Sequence, residues 1–223
     1  MDRKLFCDAV VKYLGGLLLM GILLFVPAGT LVWPRGWLLM GILFLPMLAA
    51  GVVMMLKSPD LLRKRLRMKE EQGAQKRAIL ASGVMFVCAF IAAGLSFRFG
   101  FLQLPEWVSW VAAFLFLAGY ALFAEVLREN AWLSRTVEVQ KGQRVIDTGL
   151  YGIVRHPMYM STLALFLSMP LVLGSVLAFA VTLFYIPIIA GRIRGEEEIL
   201  EKELEGYREY KKKVRYRIIP FIW

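Results

Sequence analysis

A single histidine, His156, and two cysteines, Cys7 and Cys88, are all that this chain offers in soft or imidazole ligands. Two cysteines this far apart form neither a disulfide framework nor a CxxC metal or redox pair, so both read as free thiols. One histidine and no HExxH argue against a zinc or iron centre built from protein side chains, and the expected metal set is none. No GxGxxG follows a strand-like run and no βα alternation is visible, which excludes a soluble Rossmann-type cofactor domain. Charge is scarce over long stretches, and there the polar surface of a water-soluble domain is missing too.

Hydrophobic residues make up 59% of the 223 positions, the composition of an integral membrane protein. Apolar windows of about 20 residues, the length of helix that crosses a hydrocarbon core, run near 11–32, 37–56, 79–98 and 107–127. The first continues to about Val32 without a small-residue cleavage site, so it reads as a retained span and not a signal peptide. Met158 to Ala190 is too long for one span and short for two, and Pro170 and Gly174 interrupt it. The expectation there is a tight hairpin of two short helices turning between Met169 and Ser175. The fold class is therefore all-α: a polytopic membrane bundle of about six spans, with a C-terminal hairpin and a cytoplasmic C-terminal helix. Residues 1–223 read as one membrane domain, with spans in 1–127 and the chemistry in 128–223.

The formal charge of +10 lies between the apolar runs and forms no stripe on a polar domain, which points to lipid headgroups and topology, not to nucleic acid. Lysine and arginine favour cytoplasmic loops. The 57–78 segment holds Lys57, Arg63, Lys64, Arg65, Arg67, Lys69, Lys76 and Arg77, while Gly100 to Glu106 holds none. Both termini, the 57–78 and 128–157 segments and the tail are thus expected in the cytoplasm, with Trp33–Gly36 and Phe99–Glu106 outside. Leu61, Leu62, Leu66 and Met68 punctuate the charges of 57–78, which fits an interfacial amphipathic helix as well as a solvated loop. Prolines at 27 and 46 leave broken transporter-like helices open, although the first four spans carry no string of charges for ion passage.

If the hairpin enters and leaves on one side, two polar strings must meet at its open end: QRVIDTGLYGIVRHPMY, and GRIRGEEEILEKELEGYREYKKKVRYRIIPFIW. In the first, Gly149 and Gly152 permit close approach, and Pro157 suits the first turn of a helix. That helix start would attract an anion, Arg155 and His156 add donors, and Tyr151 and Tyr159 offer rings for a flat ligand. Spacing alone does not separate this reading from a structural helix-start motif. In the second string, Arg192 and Glu196 lie one turn apart on one helix face, either as a surface ion pair or as two ligand clamps. Leu200, Leu204 and Tyr207 continue as an apolar stripe assigned to packing, and Lys211, Lys212, Lys213, Arg215 and Arg217 to anchoring at the membrane surface.

TGLYGIVRHPMY, an apolar hairpin, RIRGEEEIL and GYREYKKKVRYRIIPFIW together resemble the integral-membrane methyltransferases related to isoprenylcysteine carboxyl methyltransferase, with phospholipid methyltransferases as more distant kin. The resemblance runs from Gln143 to the end of the sequence. It implies S-adenosylmethionine as cofactor, leaving as S-adenosylhomocysteine, held by Val145, Ile146, Tyr151, His156, Pro157, Met158, Tyr159 and Glu196. It also implies Arg192 as the catalytic grip on a substrate carboxylate, with Arg194 as competitor. Met160 and Ser161 stand where the family commonly has a small residue. The implied acceptor is lipophilic, such as an isoprenylcysteine, reached from membrane lipid. Other readings stay open: a phospholipid amine methyltransferase with Glu197 or Tyr159 as base, an NADPH-dependent sterol reductase, and a non-catalytic membrane protein.

Overall fold

The computed structural model describes residues 3–66, 73–130, 132–133 and 139–223. Every extended apolar run is helical, as it must be where lipid offers backbone groups no partner. The helices are α1 (Arg3–Ala28), α2 (Pro34–Lys57), α3 (Pro59–Leu66), α4 (Gly73–Phe99), α5 (Glu106–Glu129), α6 (Pro157–Val172), α7 (Val176–Thr182), α8 (Tyr185–Glu203) and α9 (Tyr207–Lys213). The described residues contain no strand, and the chain is an integral membrane helix bundle. Among the described residues, five helical stretches are long and apolar enough to cross a bilayer: α1, α2, most of α4, α5, and α7 with α8 taken together. α6 is the shorter sixth.

Large side chains such as Leu18, Val26, Leu45, Phe114 and Trp107 stay exposed on the outer faces, where lipid would cover them. Inside, Leu24, Phe25, Trp33, Leu39, Phe90, Phe116 and Leu173 form one cluster drawing on α1, α2, α4, α5 and the end of α6. Small residues Ala112 and Ala113 are buried in it, letting helices approach closely without a water-driven force. Pro27 and Pro46 do not break their helices: α1 runs one residue past Pro27, and α2 runs on through Pro46. The transporter-like reading thus loses its broken helices.

The hairpin is asymmetric, against the expected pair of short helices. α6 has 16 residues, about 24 Å of rise, less than the ~30 Å hydrocarbon core. The return arm is α7 and α8, parted only at Leu183 and Phe184. The turn lies within the expected window, with Gly174 at φ 72°, where a Cβ would sit 1.8 Å from Arg35 Nη1. Because α6 stops short, the 100–105 loop meets it: Leu104 N–H donates to Gly174 O (2.7 Å), Val176 N–H to Leu102 O (3.0 Å), and Arg35 Nη1 to Leu104 O (3.0 Å). Ser175 then caps α7 by accepting from Ala178 N–H at 3.1 Å.

Of the 57–78 segment, α3 is helical with Leu62 buried and Arg63 exposed, as an amphipathic interfacial helix requires. Arg67, Met68 and Lys69 lie outside the described residues. Lys76 and Arg77 already belong to α4.

Candidate active site

The RHP motif is set by two anchors from distant sequence. A 3-10 turn, Gly149–Gly152, precedes it, and Gly149 has φ 52°. The carboxylate at the end of α5, Glu129, accepts the Leu150 N–H at 3.0 Å and fills the space where a Gly149 Cβ would stand. Beyond the turn the chain pairs with the tail: Arg155 N–H donates to Tyr216 O (2.9 Å) and His156 N–H to Arg217 O (2.8 Å). Pro157 then opens α6 with His156 at its N-cap. The expected anion-binding helix start is corrected here. Pro157 has no N–H and Tyr159 donates to His156 O, so at most the Met158 N–H remains among the first three positions.

Arg155 and His156 are likewise taken up inside the protein. Arg155 Nε donates to Glu197 Oε1 at 2.8 Å, and its Nη1 to the carbonyls of Val214 and Arg215, each at 2.7 Å. His156 Nε2 lies 3.3 Å from the same Glu197 oxygen. A carboxylate accepts, so Nε2 carries a proton. Arg217 reaches Glu197 Oε2 with Nε (3.1 Å) and Nη2 (3.0 Å), and Lys211 Nζ is 3.7 Å away. Glu197 is thus a buried hub joining the RHP motif, α8 and the tail. That arrangement removes it as a general base: its oxygens are held by cations. The tail expectation also changes, because Lys211 pairs with Glu201, Lys213 with Asp147 and Arg217 with Glu197, in place of all projecting to a membrane surface.

Between the RHP turn and α8 lies a cleft with about 100 Å³ of water-sized space. Val145, Ile146, Tyr151, His156, Met158, Tyr159, Arg192 and Glu196 all line it. Pro157 does not; its part is to start α6. Arg194 is exposed, two residues and therefore about 200° round α8 from Arg192. Arg192 and Glu196 are bridged by a residue of α6: Arg192 Nε donates to the Tyr159 hydroxyl (3.0 Å), which donates to Glu196 Oε2 (2.5 Å). Tyr159 is held in turn by the apolar cluster of Met85, Tyr185, Ile189, Ile193 and Ile218. Tyr151 is fixed by Asn130 Nδ2, which donates to its hydroxyl at 2.8 Å, and by Tyr210, whose hydroxyl donates to its carbonyl at 2.8 Å. Burial pushes the Tyr151 phenol up to about 12, so it stays neutral. Ser161 is fully buried, its hydroxyl turned back to Met158 O, so it does not alter the cleft wall.

Leu200, Leu204 and Tyr207, expected to pack as an apolar stripe, also line the cleft, and Tyr210 joins them. So do Asn130, Trp132 and Leu133, just past α5. The Tyr-x-x-Tyr of GYREY, which puts two phenols on one side of α9, was the available signal.

Residues 107–205 match the phospholipid methyltransferase family. The match begins in α5, earlier than the motif resemblance at Gln143, so the fourth span carries family pattern too. The chain is 34% identical over 91 residues to the Delta(14)-sterol reductase TM7SF2 of Mus musculus, covering 40% of this chain and 22% of the relative. It is 30% identical over 136 residues to a Delta(14)-sterol reductase of Methylotuvimicrobium alcaliphilum, covering 54% and 32%. It thus spans a third or less of these curated relatives. Among solved structures, the eukaryotic intramembrane Ras methyltransferase ICMT (isoprenylcysteine carboxyl methyltransferase) superposes with a TM-score of 0.61 at 21% identity, covering 96% of this chain and 77% of that one.

Proposed function

We propose that this chain, whose residues 107–205 match the phospholipid methyltransferase family and whose fold is like that of an intramembrane methyltransferase, moves a methyl group from S-adenosylmethionine to the carboxylate of a lipophilic acceptor such as an isoprenylcysteine. The observation that carries the reading is the Arg192–Tyr159–Glu196 chain inside one cleft. A cation and an anion stand one helical turn apart, tied by a hydroxyl from the RHP helix. Their chemistry suits two charged ligands, one anionic and one cationic.

The donor set fits an adenosyl sulfonium cofactor: Glu196 offers a carboxylate for an amine or ribose hydroxyl, and Tyr151, Val145 and Leu200 offer apolar cover for a flat base. When bound, that cofactor supplies an electrophilic methyl on a positively charged sulfur. The protein's part is to orient and to exclude water. Tyr159 holds Arg192 by its Nε edge, which fixes the plane of the guanidinium toward the acceptor carboxylate. A carboxylate is already ionised, so no general base is required, and a dry site favours joining opposite charges into neutral products. An amine acceptor would need a base, and of the two candidates Glu197 is locked among Arg155, His156 and Arg217 while the Tyr159 hydroxyl is tied between Arg192 and Glu196, which favours the carboxylate reading.

In this reading both termini and the cleft face the cytoplasm, from the placement of lysine and arginine, and spans 1–127 and residues 128–223 work as one unit. The acceptor's lipid tail comes from the bilayer. Similarity to sterol reductases favours a second reading, in which the cleft takes NADPH. Calorimetry of the detergent-purified protein tests both: S-adenosylhomocysteine should bind and NADPH should not, followed by labelled methyl transfer to a prenylcysteine analogue. Binding of NADPH alone would transfer the chain to the reductases; labelling of phosphatidylethanolamine in place of the prenylcysteine would make the acceptor an amine.

A further inference from the structure

Tyr207 presents a contradiction. It is 4% exposed and lines the cleft, yet among the described residues its hydroxyl has no hydrogen-bond partner. Leaving a buried phenol without a partner forfeits its hydration for nothing, so such groups are normally satisfied. Tyr210, three residues on, is equally buried and does have a partner, the Tyr151 carbonyl. Both rings line the cleft, and the difference lies in the hydroxyls: that of Tyr210 is spent on the Tyr151 carbonyl, and that of Tyr207 is unspent.

The cleft has a gradient. Along α8, Arg192 and Glu196 are followed at the same spacing by Leu200 and then by Leu204 at its C-cap, so the charged and apolar ends of the stripe are about 18 Å apart. Tyr207 packs at the apolar end, with Leu204, Val145 and Leu200. Its position is fixed by Gly206, whose φ of 81° starts α9 directly after α8. Burial first, then the charges of Glu197 and Glu196, push the phenol well above its ordinary range, so it is a donor and not a phenolate.

We infer that Tyr207 is a base-recognition residue of the cleft, whose hydroxyl donates a hydrogen bond to a ring nitrogen of a purine lodged against Val145, Leu200 and Leu204. The assignment rests on the adenosyl reading of the cleft. A purine suits this end on two counts: its faces match the apolar walls, and its edge carries acceptor nitrogens that an orphaned donor lacks. The charged part of the same ligand then extends toward Glu196.

The test is a ligand–residue cycle by calorimetry. S-adenosylhomocysteine and its deaza analogues, in which N1, N3 or N7 of the base is replaced by CH, are titrated into wild type and Tyr207→Phe. Wild type should lose roughly three- to tenfold in affinity for one of the analogues. Tyr207→Phe should lose a similar factor for S-adenosylhomocysteine and nothing further for that analogue, with an unchanged ligand-free melting temperature. Equal losses for every ligand would assign Tyr207 to packing and overturn the inference. Wild-type affinity in the variant would also overturn it, while leaving the adenosyl reading intact. Should Tyr207→Phe fail to fold, indifference of the wild type to all of the analogues overturns it. Failure of wild type to bind S-adenosylhomocysteine removes the adenosyl reading together with this one.

Discussion

Arg155 and Glu197 meet at 2.8 Å in the interior, 42 positions apart in sequence, and through them the start of α6 is fastened to α8. Arg155 also holds two carbonyls of the tail, and Arg217 closes the other side of Glu197. A network of this kind is worth little relative to an apolar replacement, but removing one member leaves buried charge uncompensated, at about 3–5 kcal/mol. Glu197→Gln is therefore expected to lower the melting temperature in detergent sharply, with loss of ligand binding as a consequence. A variant that melts like wild type yet turns over no substrate would restore Glu197 as a chemical base.

Tyr159→Phe removes the hydroxyl that joins Arg192 to Glu196 while keeping the ring in its apolar cluster. Hydrogen bonds to charged groups contribute about 1.5–3 kcal/mol, so S-adenosylhomocysteine affinity should fall roughly ten- to hundredfold with folding preserved. Calorimetry and a melting curve on the same sample check this. Unchanged affinity would make Tyr159 a packing residue.

Gly149→Ala meets two obstacles, a φ of 52° and the Glu129 carboxylate where the Cβ would be. The 3-10 turn must then shift and carry Tyr151 with it. The expected result is a destabilisation of at least about 1–3 kcal/mol and weaker ligand binding. Glu129→Ala, which opens the space, should partly rescue Gly149→Ala; the absence of rescue would place the constraint elsewhere.

How far the sequence could be read follows from the range of each interaction. The apolar windows marked the spans α1, α2, α4 and α5, missing the start of α1 by about two turns, because lipid leaves only helix as an option there. The cleft was legible where residues sit in one motif: Tyr159 in RHPMY, and Arg192 and Glu196 one turn apart. It was illegible where helix rotation decides. Glu196, Glu197 and Glu198 are identical letters, but each step turns about 100°, sending the first to the cleft, the second to the buried hub and the third to solvent. The pairing of Arg155 and His156 with Tyr216 and Arg217 spans about sixty residues and leaves no local pattern. Tyr207 matched an apolar stripe, and periodicity cannot tell a packed wall from a pocket wall.

Topology is tested separately from chemistry. With Cys7 and Cys88 replaced, a cysteine at Gln103, which is exposed in the 100–105 loop, should react with a membrane-impermeant reagent only from the side opposite the termini. Labelling from the cytoplasmic side would reverse the assignment of loops.

The central claim is that Arg192 grips an acceptor carboxylate while Glu196 grips the cofactor, and the most direct measurement is labelled methyl transfer to a prenylcysteine analogue by Arg192→Lys at saturating cofactor. Lysine keeps the charge but loses the planar two-point fork. Turnover should drop roughly ten- to hundredfold while S-adenosylhomocysteine affinity stays within about threefold of wild type, and Arg194→Lys, altering an exposed side chain off the cleft, should be silent in both. Wild-type turnover by Arg192→Lys would contradict the account.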